Sequence, residues 1–190
     1  MRKVFSILLL VFLAGCAYKH QSLQFEPFKP QDFSLQSSPS LEKIYLKSVV
    51  DERVEKRALG TIYDSNKNAI TYASSNQNIS LWIYDGLKKA FEAKGFKVIN
   101  EPAKEAKVVK IYLKELGARY DEGILKEDNL SANMALRAEI KRGDKSTTKD
   151  ISQGLKKWHK PIKDTKAFEA VLQELMQEVL ERSVREIVKY

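Results

Sequence analysis

The sequence predicts an α+β domain in which an antiparallel sheet of four to five strands carries two helices packed on one face. Segment 129–140 alternates apolar and polar residues along its length, which is typical of a strand in a sheet covered on one side only. Two other segments, 79–94 and 165–190, repeat apolar residues at spacings of three and four, the period of an amphipathic helix.

The strand predictions rest on short alternating runs. In the first, Ile44, Leu46 and Val50 share one face. In the clearest, the core face is formed by Leu130, Ala132, Met134, Leu136, Ala138 and Ile140. The predicted strands cover 43–50, 96–99, 106–116, 129–140 and 145–153, with a further short candidate at 69–73.

The two helices have identifiable ends. Asn78 or Ser80 is a suitable N-cap for the first, and Gly95 is a natural stop for it. Gly86 lies beside the apolar stripe and allows another element to approach closely. Asp164 is the predicted cap of the last helix, which at about 26 residues spans ~39 Å.

The N-terminus has the three parts of a secretory signal peptide. Arg2 and Lys3 precede a short apolar run over 4–12, and the segment closes with Leu13-Ala14-Gly15-Cys16. We therefore expect a signal peptide over 1–15, a lipidated N-terminus and tether over 16–40, and a single domain over 41–190. The tether contains prolines but also several large apolar residues, which predicts that part of it lies along the domain as an extended strap.

Leu13-Ala14-Gly15-Cys16 resembles the lipobox of bacterial lipoproteins. The resemblance implies cleavage between Gly15 and Cys16, lipidation of the Cys16 thiol and attachment to the membrane through that N-terminal lipid. An ordinary signal peptide that happens to precede a cysteine is the alternative. Cys16 is the only cysteine of the chain, so it has no intramolecular disulfide partner.

The positive charge is concentrated late in the chain. The net charge is +8, and segment 141–166 holds nine Lys or Arg residues against three Asp. Such a segment favours anionic surfaces, such as lipid headgroups or lipopolysaccharide phosphates, and the alternative is a solvated hairpin that keeps the protein soluble. The candidate contacts, expected to form an outward stripe, are Lys145, Lys149, Lys156, Lys157 and Lys160.

Two shorter motifs have both a structural and a functional interpretation. Asp51 and Arg53 are two residues apart at a strand end, so they would face the same side. They either brace the following loop through a salt bridge or belong to a partner site. Trp158-His159-Lys160-Pro161 either contacts a headgroup or glycan, or packs on the last helix.

Catalytic patterns are missing from the sequence. The chain has two histidines, His20 and His159, and none of the common nucleophile, zinc or nucleotide motifs. The sequence therefore predicts no enzyme activity, no metal site and no cofactor. Nucleic acid is not an expected partner, because an exported and lipid-anchored domain would not meet it.

Several short motifs together resemble the YajG-like family of bacterial lipoproteins. They are the lipobox, Asp51-Glu52-Arg53 followed by Leu59-Gly60, and Ala93-Lys94-Gly95-Phe96 at a helix end. That family has no agreed biochemical activity, so the resemblance implies location and architecture. It favours the outer membrane, because Ala17 rather than aspartate follows Cys16, and the periplasmic face. We expect a non-catalytic accessory protein that binds an envelope protein, and the alternative is a surface-exposed adhesin or ligand-binding lipoprotein.

Overall fold

A computed structural model describes residues 22–30, 42–123, 128–162 and 165–190. These residues form one seven-stranded sheet and two helices. In chain order the elements are β1 (Lys43–Asp51), β2 (Gly60–Tyr63), β3 (Ala69–Ala73), α1 (Ile79–Ala93), β4 (Lys97–Ile99), β5 (Lys107–Asp121), β6 (Leu130–Arg142), β7 (Lys145–Lys157) and α2 (Ala167–Val188).

Strand β5 is the centre of the sheet. One of its edges pairs antiparallel with β6, which pairs antiparallel with β7. The other edge is divided between two parallel strands, β1 along the first half of β5 and β2 along its last four residues. The sheet therefore forks between Leu113, the last partner of β1, and Ala118, the first partner of β2.

The predicted α+β class is correct, but the predicted antiparallel sheet of four to five strands is wrong. Strands β1, β4 and β5 run parallel, because α1 carries the chain back before β4 begins. Strand β2 was not predicted. It has only four residues, too few to establish an alternating pattern.

One face of the sheet is buried and the other is exposed, as the alternating sequence of β6 predicts. All six of its predicted core residues are buried, and they lie under the helices. In β1 a bulge between Leu46 and Ser48 reverses the alternation. Val49 consequently pairs with buried Ile111 on the core side, and Val50 lies on the open face, so the predicted grouping of Val50 with Leu46 is wrong.

The ends predicted for α1 are confirmed. The Asn78 side chain accepts a hydrogen bond from the backbone N–H of Leu81 at 3.0 Å. Gly95 has φ of +85° after the last turn, a conformation that favours glycine. Gly86 faces α2 so closely that an added Cβ would lie 2.5 Å from Cδ1 of Leu180, so the predicted close approach is confirmed.

Helix α2 is shorter than predicted, with 22 residues and a length of ~33 Å. Asp164, its predicted cap, lies outside the described residues. Its far end is tied to the sheet by Lys107, which is fully buried. The Lys107 ammonium lies 3.4 Å from the backbone oxygen of Ile187 and 3.4 Å from Oε1 of Glu42, where a cation suits the negative end of the helix dipole.

Residues 22–30 form the strap that the sequence predicts. Leu23, Phe25 and Phe28 are each at most 4% exposed. The strap backbone is held by side chains of the domain: Gln77 exchanges two hydrogen bonds with Phe25, at 2.6 and 2.9 Å, and the indole N–H of Trp82 donates to the oxygen of Glu26 at 2.9 Å. The segment is therefore part of the hydrophobic core.

Gly60, the first residue of β2, gives a test of how tightly α2 covers the fork. An added Cβ would lie within 2.5–2.8 Å of three ring atoms of buried Phe168. We expect Gly60→Ala to lower the free energy of unfolding by about 1–3 kcal/mol, the usual cost of overpacking a core. Gly117→Ala is the matched control, because its Cβ would meet nothing closer than the oxygen of Leu59 at 3.9 Å. Urea denaturation of both variants measures the difference, and equal losses would contradict the close packing.

Candidate functional site

A candidate functional site in the described part of the chain is a groove at the fork of the sheet. It encloses about 470 Å³ on the side away from the helices. Its walls are the loop that joins β1 to β2, the adjoining part of β5 and, from β6, Ser131 and Asn133. We call it the fork groove.

The loop that forms one wall leaves and rejoins the sheet at fixed points. The backbone N–H of Glu52 donates to the oxygen of Leu113 at 2.9 Å, and that of Ala118 donates to the oxygen of Leu59 at 2.8 Å. Between these two points no strand of the described chain pairs with this edge of β5, although β6 continues along the opposite edge. Instead, Nη1 of Arg53 reaches the backbone oxygen of Leu116 at 3.5 Å, so a side chain occupies the place of a strand.

Arg53 is held in that place by Asp51. Its Nε and Nη2 donate to the two carboxylate oxygens of Asp51 at 3.0 and 2.8 Å, a bidentate geometry that is stronger than a single contact. Arg53 is 5% exposed, and the Asp51 side chain is 22% exposed. The salt bridge, one of the two roles predicted for this pair, is therefore present, and a role at a partner site stays a prediction.

Other charged side chains around the groove are also paired within the chain. Lys114 contacts Glu52 at 2.6 Å, and Arg119 contacts Asp121 at 3.3 Å. The guanidinium of Arg119 also lies 4.1 Å from the ring centroid of Tyr63, a cation–π contact. Lys114 and Arg119 are thus paired, and the carboxylates of Glu55 and Glu115 also line the groove, so it is suited to hydrogen bonding as well as to packing.

One apolar side chain stands at the rim of the fork groove. Val54 is fully exposed, although Arg53 before it is buried. The loop beyond it is braced, because Oε1 of Glu55 accepts hydrogen bonds from the backbone N–H groups of Arg57 and Ala58 at 2.7 and 3.3 Å. An apolar side chain on a braced loop loses little conformational entropy when another molecule covers it.

The sequence predicted Asp51 and Arg53 but not the groove itself. Its floor depends on a bulge in β5 between Leu113 and Glu115. The available signal was Lys114-Glu115, two consecutive charged residues in an otherwise alternating strand, a pattern that indicates a bulge. Val54 gave no signal, because a lone valine in a loop has no characteristic pattern.

Two carboxylates near the groove predict how the fold responds to acid. Burial raises the pKa of Asp51, but the hydrogen bonds and charge of Arg53 outweigh it and hold that pKa below the ordinary 3.8. The hydrogen bond from Lys67 similarly lowers the pKa of Asp121 below 3.8, against the effect of burial. Both groups therefore stabilise the fold above about pH 4, and that contribution is lost as the pH falls through their folded-state values.

We accordingly expect the urea midpoint to decline steeply below about pH 4. The Asp51→Asn variant should start lower at neutral pH and decline less on acidification, because one of the titrating groups is gone. An acid decline as steep as that of the wild type would contradict the role given to Asp51.

The structure divides the lysines of the predicted basic stripe between the two faces of the sheet. Pairing with β6 places Lys157 opposite buried Leu130, on the helix side, and Lys156 opposite Ser131, on the open face. Lys145 and Lys149 lie on the helix side as well, because they flank Thr147, which pairs with buried Ile140. The prediction of one outward stripe is therefore wrong in geometry, since alternation divides the lysines between two faces.

Several of these lysines already have partners. Lys157 forms a salt bridge with Glu174 of α2, and the Lys149 ammonium lies 4.3 Å from the ring centroid of Tyr190. Lysines on β7 also protect its outer edge against pairing with other strands. Contact of Lys145, Lys149, Lys156, Lys157 or Lys160 with an anionic surface stays a prediction.

The residues predicted for the membrane anchor, Gly15 and Cys16, lie outside the described residues. Neither described helix combines the length and the apolar character needed to cross a membrane. In the described ranges, no three His, Cys, Asp or Glu side chains are grouped so that they could hold a metal ion.

A family model with the description "Uncharacterized lipoprotein" matches residues 36–188. The match covers nearly the whole domain, including the fork groove. It names lipoproteins in general, so the finer resemblance to the YajG-like family stays a prediction. No curated protein matches the chain.

Solved structures share the fold at low sequence identity. A protein from Xanthomonas campestris aligns with a TM-score of 0.59 at 14% identity, over 88% of this chain and 93% of its own. An uncharacterized protein aligns with a TM-score of 0.56 at 11% identity, over 80% of this chain and 96% of its own. Rare lipoprotein B from Shewanella oneidensis aligns with a TM-score of 0.36 at 11% identity, over 68% and 90% of the two chains, a likeness too weak to support an argument.

Proposed function

Because this chain belongs to a family of uncharacterized bacterial lipoproteins, we propose that it is a lipid-anchored envelope protein that binds and stabilises another envelope component without catalysis. The lipid is attached at Cys16, after cleavage behind Gly15. We also propose that it is similar to the YajG-like lipoproteins, on the strength of Asp51-Glu52-Arg53 and Leu59-Gly60. The proposed location is the periplasmic face of the outer membrane.

The observation that carries the proposal is the fully exposed Val54 beside the fork groove. Interfaces combine an apolar centre with a polar rim, and the fork groove offers both, with exposed Val54 beside the polar groups that line it. The Asp51–Arg53 pair fixes the loop from within, so the surface is formed before a partner arrives. Residues of the YajG-like motif thus have a structural reason to be present: they shape this groove.

Photo-crosslinking in cells tests the proposal. A photoreactive residue at position 54 should capture a defined envelope protein, and the same residue at position 89 should not. Lys89 is a suitable control because it is exposed on α1, on the opposite side of the sheet from the groove. An identical set of adducts at both positions, or none at position 54, would count against binding at the groove.

The anchor is tested separately by Cys16→Ser. We expect this variant to accumulate as an unprocessed or soluble precursor that does not incorporate labelled palmitate. Normal membrane fractionation of the variant would defeat the claim. Digestion of intact cells by protease distinguishes the periplasmic location from the surface-exposed alternative, because only a surface domain is cut without permeabilisation.

A further inference from the structure

The hydrogen bonds of the strap show which end of the domain lies nearest to the N-terminal part of the chain. The backbone N–H of Gln24 donates to Oε1 of Glu169 at 2.9 Å, in the first turn of α2. Two residues later, the oxygen of Glu26 accepts from Nε2 of Gln173 at 3.2 Å, one turn further along the same helix. The strap therefore runs from the beginning of α2 toward its middle, and Ser22, its first described residue, lies near the N-terminal end of α2.

The chain between the lipidation site and the strap is short. Leu23 is seven residues after Cys16 and is fixed in the fold, with its backbone N–H bonded to the oxygen of Ser74 at 2.7 Å. Seven residues span at most ~25 Å when fully extended. A lipid on Cys16 thus keeps the N-terminal end of α2 within that distance of the membrane, and the opposite end of the domain lies ~33 Å further along the helix.

An exposed aromatic side chain lies at this same end. Trp158 follows the last residue of β7, precedes α2 and is 59% exposed. Its turn is fixed by buried Asn129, which exchanges two hydrogen bonds of 2.7 Å with the backbone of His159. Tryptophan favours the level of lipid headgroups, because its ring is apolar and its N–H is polar.

The surroundings of Trp158 are basic. Lys156 and Lys160 are exposed on either side of it. Among the described acids of that corner, Asp128 is exposed, Glu174 pairs with Lys157, and Oε1 of Glu169 accepts from the N–H of Gln24. Two other acids at this end, Asp64 and Glu122, follow β2 and β5. They are at least two strands away from β7, or ~10 Å, beyond a Debye length of ~8 Å at physiological salt.

We propose that this corner rests on the phospholipid surface that holds the anchor, with Trp158 among the headgroups and Lys156 and Lys160 on lipid phosphates. The inference rests on the proposed lipidation of Cys16. In this orientation the opposite end of the domain, which carries the β6–β7 turn, points away from the membrane. Lys145 and Lys149 therefore take no part in this contact, although they belong to the same basic segment.

Fluorescence of the full lipidated protein in vesicles tests the contact. Vesicles of phosphatidylglycerol and phosphatidylcholine, brominated near the headgroup end of the acyl chains, should quench the emission of Trp158. Trp82 is 9% exposed and serves as an internal reference. Trp158→Phe should therefore remove the quenched part of the emission and leave the remainder insensitive to bromine.

Charge reversal supplies a matched pair of variants. Lys156→Glu with Lys160→Glu should release Trp158 from the surface. Lys141→Glu with Lys145→Glu should not, because those two lysines lie beside the β6–β7 turn, at the other end of that hairpin. Loss of one lysine at an anionic surface is worth roughly a five-fold change in affinity, and each glutamate adds repulsion, so the first pair should lower the docked-to-free ratio by at least about 25-fold. Rising salt should weaken the quenching of the wild type in the same direction.

The outcomes are separable. A protein that floats with the vesicles and shows no quenching overturns this inference and leaves the proposed function intact. An equal loss of quenching in both charge-reversed pairs also overturns it, since a general attraction between the basic protein and the anionic vesicle would then explain the contact. A protein that does not float with vesicles overturns the lipid anchor and the inference together. A failure of crosslinking at Val54 bears on the fork groove alone.

Discussion

Replacing Arg53 with alanine is expected to lower the free energy of unfolding by about 3–5 kcal/mol, the range measured when one partner of a buried ion pair is removed. The guanidinium is 5% exposed and donates to Asp51 and to the backbone oxygen of Leu116. Its loss leaves the Asp51 carboxylate without its bidentate partner and leaves a gap beside β5. Urea denaturation at neutral pH measures the effect.

A double-mutant cycle identifies the cause. Removing Asp51 and Arg53 together should cost less than the sum of the two single replacements, because neither charge is then left without its partner. Arg57→Ala is the control, since Arg57 lies in the same loop and is exposed. Additive losses for Asp51 and Arg53, or an Arg57 variant as unstable as the Arg53 variant, would contradict a specific pair.

The second large effect is expected at Phe28. Its side chain is 3% exposed and lies where a Cβ on Gly86 would come within 3.2 Å of it. Phe28→Ala should lower the free energy of unfolding by about 3–5 kcal/mol, the usual loss for a buried phenylalanine. Because Phe28 is the last buried apolar residue of the described strap, the same variant should be cut faster by chymotrypsin after Phe25.

Lys29→Ala is the control for this prediction, because the Lys29 side chain is 74% exposed and its removal should change stability by no more than about 0.5 kcal/mol. If Phe28→Ala matches that control, the strap would be an attachment to the surface of the domain. It would not be part of the core, and it could no longer determine which end of the domain lies near the N-terminal lipid.

The sequence predicted the structure best where an element is determined by its own local residues. Asn78 caps α1 and Gly95 ends it, because each position demands a particular side chain or backbone conformation. The alternation of β6 survives because that strand is covered on one face along its whole length. The strap was predictable from the excess of apolar residues in a proline-containing tether.

The errors arose where pairing is decided by distant segments. The bulge near Lys47 changes the face of Val49 and Val50, and no local pattern announces it. The lysines of β7 were expected on one surface, but their register against β6 alternates them between two faces. The fork groove is formed by β1, β2, β5 and β6 together, so it exists only in the tertiary structure.

The fork has a consequence for the order in which the chain can fold. Both β1 and β2 depend on β5, which does not begin until Lys107. Until β5 is available, the earlier strands can form only two separate pairs, β1 with β4 and β2 with β3, and two-stranded units are marginally stable in water. When the chain is synthesised from its N-terminus, about half of its length therefore has strands with unpaired edges. Completion of the sheet then depends on contacts between distant residues, which form slowly. During that interval the unpaired edges of β1 and β2 can pair with strands of other chains, so the first half of the chain is the part most prone to aggregation during folding.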